Sequence, residues 1–200
     1  MKAGIQGGRR RVQGGKQVSD VTMDDIYNAQ KKLGELRWEY WKSEVVFSFQ
    51  WWLLLVTTIL MFAIWFKLTN KGNRHVLVLY VFVTVLLATS LDVLGAELML
   101  WDYPKMLLPW GARLASVDCM VGLILSLLYE KFTSWRNFII AATVTSAFFA
   151  FIMEPLTIWL HIYLPYNWKS IYSFPVYIVM SCGIKAFTDF VLRPESSPAR

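Results

Sequence analysis

Acidic side chains set in apolar surroundings are the residues of this sequence with chemistry to offer. Asp92 and Glu97 stand in LDVLGAELMLW, Asp118 in the apolar run that begins at Ala112, and Glu154 in the string MEPL. A carboxyl in a low-dielectric setting keeps its proton, takes a counter-charge, or accepts several hydrogen bonds. Those states correspond to a general acid, a cation site and a proton carrier. His161 follows Glu154 by seven residues, on nearly the same helical face and about 10 Å along the axis. An interfacial histidine without a role is its plainer reading.

Glu154 stands out because Pro155 follows it in a long apolar run. Proline removes a backbone donor and crowds the preceding turn, so a kink or break is expected there, with freed carbonyls beside a carboxylate. Ala142, Ser146 and Ala150 precede it at four-residue steps, a small-residue line that permits close helix contact. Asp92 and Glu97 are five residues apart. That offset is about 140° around a helix, so they are no ready-made catalytic pair. Gly95 between them offers a place for another backbone to come close. Asp118 follows Arg113 by five residues, and Arg113 has the reach to snorkel to an interface. Lys185 and Asp189 are four apart and can pair along one helix face, which favours self-neutralisation near a membrane end over a transport role.

Familiar catalytic signatures are missing: there is no phosphate-cradling glycine loop, no HExxH, no CxxC and no GxSxG. With only His75 and His161, a histidine-rich metal site is excluded, and a carboxylate metal site has no spacing signature here. Cys119 and Cys182 fall inside apolar runs and read as buried structural thiols. No cofactor and no metal are expected.

The elements that must hold these acids are long and apolar. Five segments have the length and character of membrane spans, approximately Phe47–Phe66, Val76–Leu98, Ala112–Tyr129, Asn137–Leu160 and Ile171–Leu192. The chain is 56% hydrophobic with a mean hydropathy of +0.42, and one soluble core could not bury five such runs. No cleavable signal peptide is visible, so Phe47–Phe66 is expected to act as an uncleaved first span. The expected fold class is all-α: a polytopic membrane bundle of five transmembrane helices behind an N-terminal amphipathic helix.

Residues 1–19, with Arg9-Arg10-Arg11 among glycines, are expected to form a disordered basic tail. Residues 20–46 are expected to hold the amphipathic helix. Thr22 and Asp25 read as its capping start, and Ile26, Ala29, Leu33, Leu36 and Tyr40 recur along one face. Trp38 and Trp41 near its end suit the headgroup region. Residues 47–192 form the spanning domain, and residues 193–200 a polar tail. Most tryptophans and tyrosines flank the spans and are assigned to interfacial anchoring, including Trp101, Tyr103, Tyr163 and Trp168. Trp101–Pro109 carries two prolines and reads as a short re-entrant or interfacial turn.

The net charge of +6 belongs mainly to the tail and to connections beside the spans. It points to anionic lipid rather than to nucleic acid, which is not an expected partner. The lipid bilayer is the expected partner, with self-association or a second membrane protein as further ones. Lys67, Lys71, Arg74, Lys131, Arg136, Arg193 and Arg200 lie to one side, against Lys105 and Lys169 in the other connections. That favours a cytoplasmic C-terminus, although the basic N-terminal tail then falls on the opposite side.

Several strings together carry a resemblance. FSFQWWLLL, LDVLGAELMLWDYPKMLLP, EPLTIWLHIY and WKSIYSFPVYI resemble an uncharacterised family of small multi-pass membrane proteins of endospore-forming bacteria such as Bacillus and Clostridium. The likeness covers approximately Leu33–Leu192. It implies a helical bundle in a bacterial cell membrane and supplies no established activity, so no catalytic residue is carried over.

The expected function is that of a non-enzymatic integral membrane protein, a binding or structural component with a carboxylate-lined polar interior. Its candidate polar site is Asp92, Glu97, Asp118, Glu154 and His161, with Lys185 and Asp189 as a helix ion pair. Two alternatives stay open: a small oligomeric ion- or proton-coupled transporter, and a membrane-embedded enzyme acting on lipid or isoprenoid.

Overall fold

The computed structural model describes residues 21–109 and 117–192. The chain divides into two units, Met1–Leu36 and Arg37–Arg200. Helix α1 (Met23–Tyr40), which starts in the first unit and runs past its boundary, begins behind a reciprocal cap. Thr22 Oγ1 accepts from the Asp25 N–H at 3.2 Å, and Asp25 Oδ2 accepts from the Thr22 N–H at 2.9 Å. These backbone and hydroxyl bonds from Thr22 hold the Asp25 carboxyl below its ordinary range. None of the residues of α1 is buried. The tail expected over residues 1–19 lies outside the described residues, as does the polar tail over 193–200.

The second unit is a bundle of helices. After a π turn (Trp41–Val45) come α2 (Phe49–Leu68), α3 (Arg74–Glu97), α4 (Val117–Lys131), α5 (Trp135–Phe148), a second π turn (Phe149–Met153), α6 (Glu154–Trp159) and α7 (Ser170–Val191). Four helical rods are long and apolar enough to cross a membrane: Phe49–Leu68, Arg74–Glu97, Trp135–Trp159 and Ser170–Val191. Over an 18-residue apolar stretch of each, only 11% to 28% is buried inside the fold. The remainder presents side chains such as Phe82, Val144 and Val179 outward, an apolar belt that water would penalise and lipid would not. The chain is therefore an all-α bundle with the architecture of an integral membrane protein.

The third expected span, Ala112–Tyr129, falls partly outside the described residues. Its described part, α4, has 15 residues, short of the roughly 20 that cross a bilayer. It nonetheless packs as a full member of the bundle, against α3, α2 and α5. At Gly122 an added Cβ would meet Val85 Cγ2 at 3.3 Å and the Val81 carbonyl at 3.4 Å, so the missing side chain lets α4 lie close on α3. The expected small-residue line is in place: Ala142, Ser146 and Ala150 are all buried, on a rod that packs against α7. Tyr80, Leu125 and Ile184 fill the centre, and the buried Trp65 Nε1 donates to Ser126 Oγ at 2.8 Å.

The break expected at Pro155 takes a definite form. The five residues Phe149–Met153 make a π turn, and the Glu154 N–H reaches back to the Phe149 carbonyl. A proline at 155 cannot donate to the carbonyl four residues earlier and its ring crowds that turn. A wider turn just upstream absorbs the misfit without ending the rod.

The two connections at the acid-bearing end are stitched together. Trp101–Asp102 (β1) pairs antiparallel with Leu164–Pro165 (β2), Trp101 opposite Pro165 and Asp102 opposite Leu164. The Leu100 carbonyl accepts from the N–H groups of Tyr166 and Asn167 at 2.9 and 3.0 Å. Aromatic rings lock the pairing, with Trp101 edge-on to Trp168 at 4.8 Å and Tyr103 beside Tyr163 at 5.3 Å. Met99 and His161, at φ 52° and 57°, turn the chain out of the helices that precede these strands. The stretch from Trp101 is thus half of a paired cover.

Candidate functional site

Beneath this cover lies a cavity of about 370 Å³. Every rod of the bundle contributes: Leu54 and Thr57 from α2, Leu91 and Asp92 from α3, Asp118 and Ile124 from α4, Phe149, Met153, Glu154 and Thr157 from the kinked rod, and Ser173 and Tyr177 from α7. Trp101, Tyr103, Tyr163 and Trp168 close it from the cover. Its walls are largely apolar, with a few polar groups converging on them, which is the usual make-up of a small-molecule site.

The three acids at this cavity are held differently. Asp92 Oδ1 accepts from Trp101 Nε1 at 3.1 Å and from the Tyr103 hydroxyl at 3.2 Å. Asp118 Oδ2 accepts from Thr89 Oγ1 at 2.8 Å. Glu154 Oε1 accepts from the Tyr177 hydroxyl at 3.1 Å, while its Oε2 is buried with no hydrogen-bond partner. The hydroxyls of Ser173 and Ser170 stand beside the Glu154 carboxyl, and Ser173 Oγ itself accepts from Trp168 Nε1 at 2.8 Å. In the cover, burial first and the Asp92 charge second push the Tyr103 phenol well above its ordinary range. Burial, then Glu154 and Asp92, does the same to Tyr163. Both phenols therefore stay protonated and remain donors under all ordinary conditions.

The sequence-derived set is thus brought together in part. Asp92, Asp118 and Glu154 are 4% to 9% exposed and converge on one cavity. Glu97 does not join them: it is exposed and lines a separate cleft of about 220 Å³ with Arg37 and Asp102. The 140° offset from Asp92 has sent one acid inward and the other outward. His161 is also excluded. It is exposed because α6 ends at Trp159 and the left-handed turn at His161 carries it off the helical face. Gly95 receives not a backbone but the Trp101 ring, which occupies the place a Cβ would take.

Lys185 and Asp189 form the expected pair at the other end of the bundle. Lys185 Nζ lies 3.3 Å from Asp189 Oδ2, and Tyr129 donates to Asp189 Oδ1 at 2.9 Å. What the spacing did not reveal is an aromatic box: Nζ also lies 4.7 Å from the Tyr129 ring centre and 5.2 Å from those of Trp135 and Phe138. Sequence reading likewise missed Trp101, Tyr103, Tyr163, Trp168 and Tyr177 as cavity walls. The one available signal for the first four was their clustering on the two connections that flank the acid-bearing helix ends; Tyr177, inside α7, gave none. Among the described residues no group of His, Cys, Asp and Glu is arranged to hold a metal ion. No protein-family model, curated protein or solved structure matches this chain.

Proposed function

We propose that this is a non-enzymatic membrane protein that binds a small molecule in the interior of its bundle. One observation carries the reading: three acids from three separate rods face one apolar-walled cavity. Buried acids are expensive in such surroundings and persist where they serve a site. The residues proposed to serve it are Glu154, Asp92 and Asp118, with Trp101 and Tyr103 holding Asp92 in place.

Two finer points belong to the same proposal. The bundle crosses the membrane five times, α4 belonging to one of the crossings, and α1 lies along the membrane surface. The connections at the end remote from the cavity carry Lys71, with Lys67, Arg74, Lys131 and Arg136 at the flanking helix ends, whereas Lys105 and Lys169 flank the cavity. The cavity then faces away from the cytoplasm and the C-terminus lies inside it. A bacterial cell membrane, as in the resembled family, is the proposed location.

The test is native mass spectrometry of the full chain released from lipid nanodiscs. Wild type should carry a co-purified small molecule that is absent from Glu154→Gln and from the cavity-filling Ala88→Phe at equal membrane abundance. Equal occupancy in all three overturns the reading.

A second reading, proton-coupled transport, has its own support. Ser173, Tyr177, Ser181, Lys185 and Asp189 follow at four-residue steps on α7, and Ser173, Ser181 and Lys185 are buried. They make a polar file over about 24 Å, most of a bilayer core. Proton flux in proteoliposomes that Lys185→Met and Glu154→Gln both abolish would favour this reading over simple binding.

A further inference from the structure

We infer that the cavity ligand is a lipophilic organic cation, an amine or quaternary ammonium on an apolar body, with Glu154 as its counter-ion. The inference rests on the proposal that the cavity binds a small molecule, and it narrows the class.

The fold holds one ammonium already and shows how it does so. Lys185, 3% exposed, is kept in the bundle by one carboxylate at 3.3 Å and three aromatic rings within 5.2 Å. A carboxylate offsets the charge, and ring faces take the place of water around it. The cavity presents the same kinds of part. Glu154 supplies the carboxylate, and Tyr177, Tyr163 and Trp168 supply rings on the same lining. What differs is the ammonium. Asp189 has both oxygens engaged, one by Lys185 and one by Tyr129. Glu154 has Oε1 engaged by a neutral phenol and the hydroxyls of Ser173 and Ser170 beside its carboxyl, but no cation among the described residues pairs with it, and Oε2 is buried without a hydrogen bond of ordinary geometry.

A buried acceptor left open costs free energy unless a ligand fills it. A neutral donor would satisfy the hydrogen bond alone. A protonated amine satisfies the bond, the charge and the aromatic faces together, a quaternary ammonium the charge and the faces, and the apolar body of either suits Leu54, Leu91 and Met153. An anionic ligand would be repelled by the same carboxylate.

The experiment compares benzyltrimethylammonium with its neutral carbon isostere, neopentylbenzene. Binding to the full chain in lipid nanodiscs is measured by calorimetry, with empty nanodiscs subtracted to remove partitioning. The cation should bind about tenfold tighter or better. Glu154→Gln should erase that preference, with its thermal melting reporting that the variant is folded. Trp168→Leu should narrow the preference by a smaller factor. If the isostere binds as tightly as the cation, the cation assignment is overturned and the binding cavity stands. If neither binds, both fall. The wild-type pair decides the matter even where a variant does not accumulate.

Discussion

The two ends of this bundle handle buried charge in opposite ways. At the Lys185 end the charges are mutually satisfied: ammonium, carboxylate, phenol and rings from α4, α5 and α7 complete one another. At the Glu154 end the acids come from three different rods that line one cavity, and no cation among the described residues pairs with Glu154. The first arrangement is self-contained and needs no visitor. The second is complete only with something added. Charge inside a membrane is therefore not itself a mark of function; what separates the two is whether the protein supplies the partner.

The sharpest way to break this contrast is at the saturated end. Asp189→Ala should destabilise the bundle by about 2–3 kcal/mol, because it strands a buried lysine; the partial exposure of Asp189 keeps the loss from being larger. The double change Lys185→Met with Asp189→Leu should recover most of that loss, since apolar replacements of a buried pair are often neutral. Thermal unfolding in detergent reads both. A double variant no more stable than Asp189→Ala would show that the aromatic box, not the pairing, holds this end together.

The next effect is on the cover. Gly95→Ala drives a methyl into the Trp101 ring, which is also bonded to Asp92. A loss of about 1–3 kcal/mol is expected from overpacking, with release of any co-purified molecule. Unchanged melting and occupancy would mean that the Trp101 ring is not what closes the cavity.

The smallest effect sharpens the comparison most. Glu154→Gln should leave stability within about 1 kcal/mol of wild type, or raise it, because an amide still accepts from Tyr177 and needs no counter-charge. Loss of binding with stability retained marks a site. If Glu154→Gln melts as early as Asp189→Ala, the two ends are alike and the distinction drawn here is lost.

Much of the scaffold was legible in the chain because apolar runs near twenty residues admit few other fates. Glu154 was legible because Pro155 marks a break in any helix. Other parts were not. Face assignment by helical spacing placed Asp92 and Glu97 apart correctly, but it could not say which of them faces the interior. The same spacing failed for His161, because the helix stops before reaching it. The cavity walls were hidden for a different reason: Trp101, Tyr103, Tyr163 and Trp168 have the composition and position of interfacial anchors, and only the pairing of two distant connections turns them inward. The aromatic box around Lys185 joins α4, α5 and α7, a meeting that local periodicity cannot express.

The five-residue turn at Phe149–Met153 makes the orientation of Glu154 a matter of counting as well as of composition. It holds one residue more than the ordinary helical repeat requires. The wide turn absorbs that residue, so Glu154 keeps the face it would hold on a regular rod one residue shorter. The regular coils of α5 have no such absorber, and excising a residue there would swivel Glu154 by about 100° relative to the residues before the cut. The acid would still be encoded, flanked by its proline, yet aimed at a different neighbour.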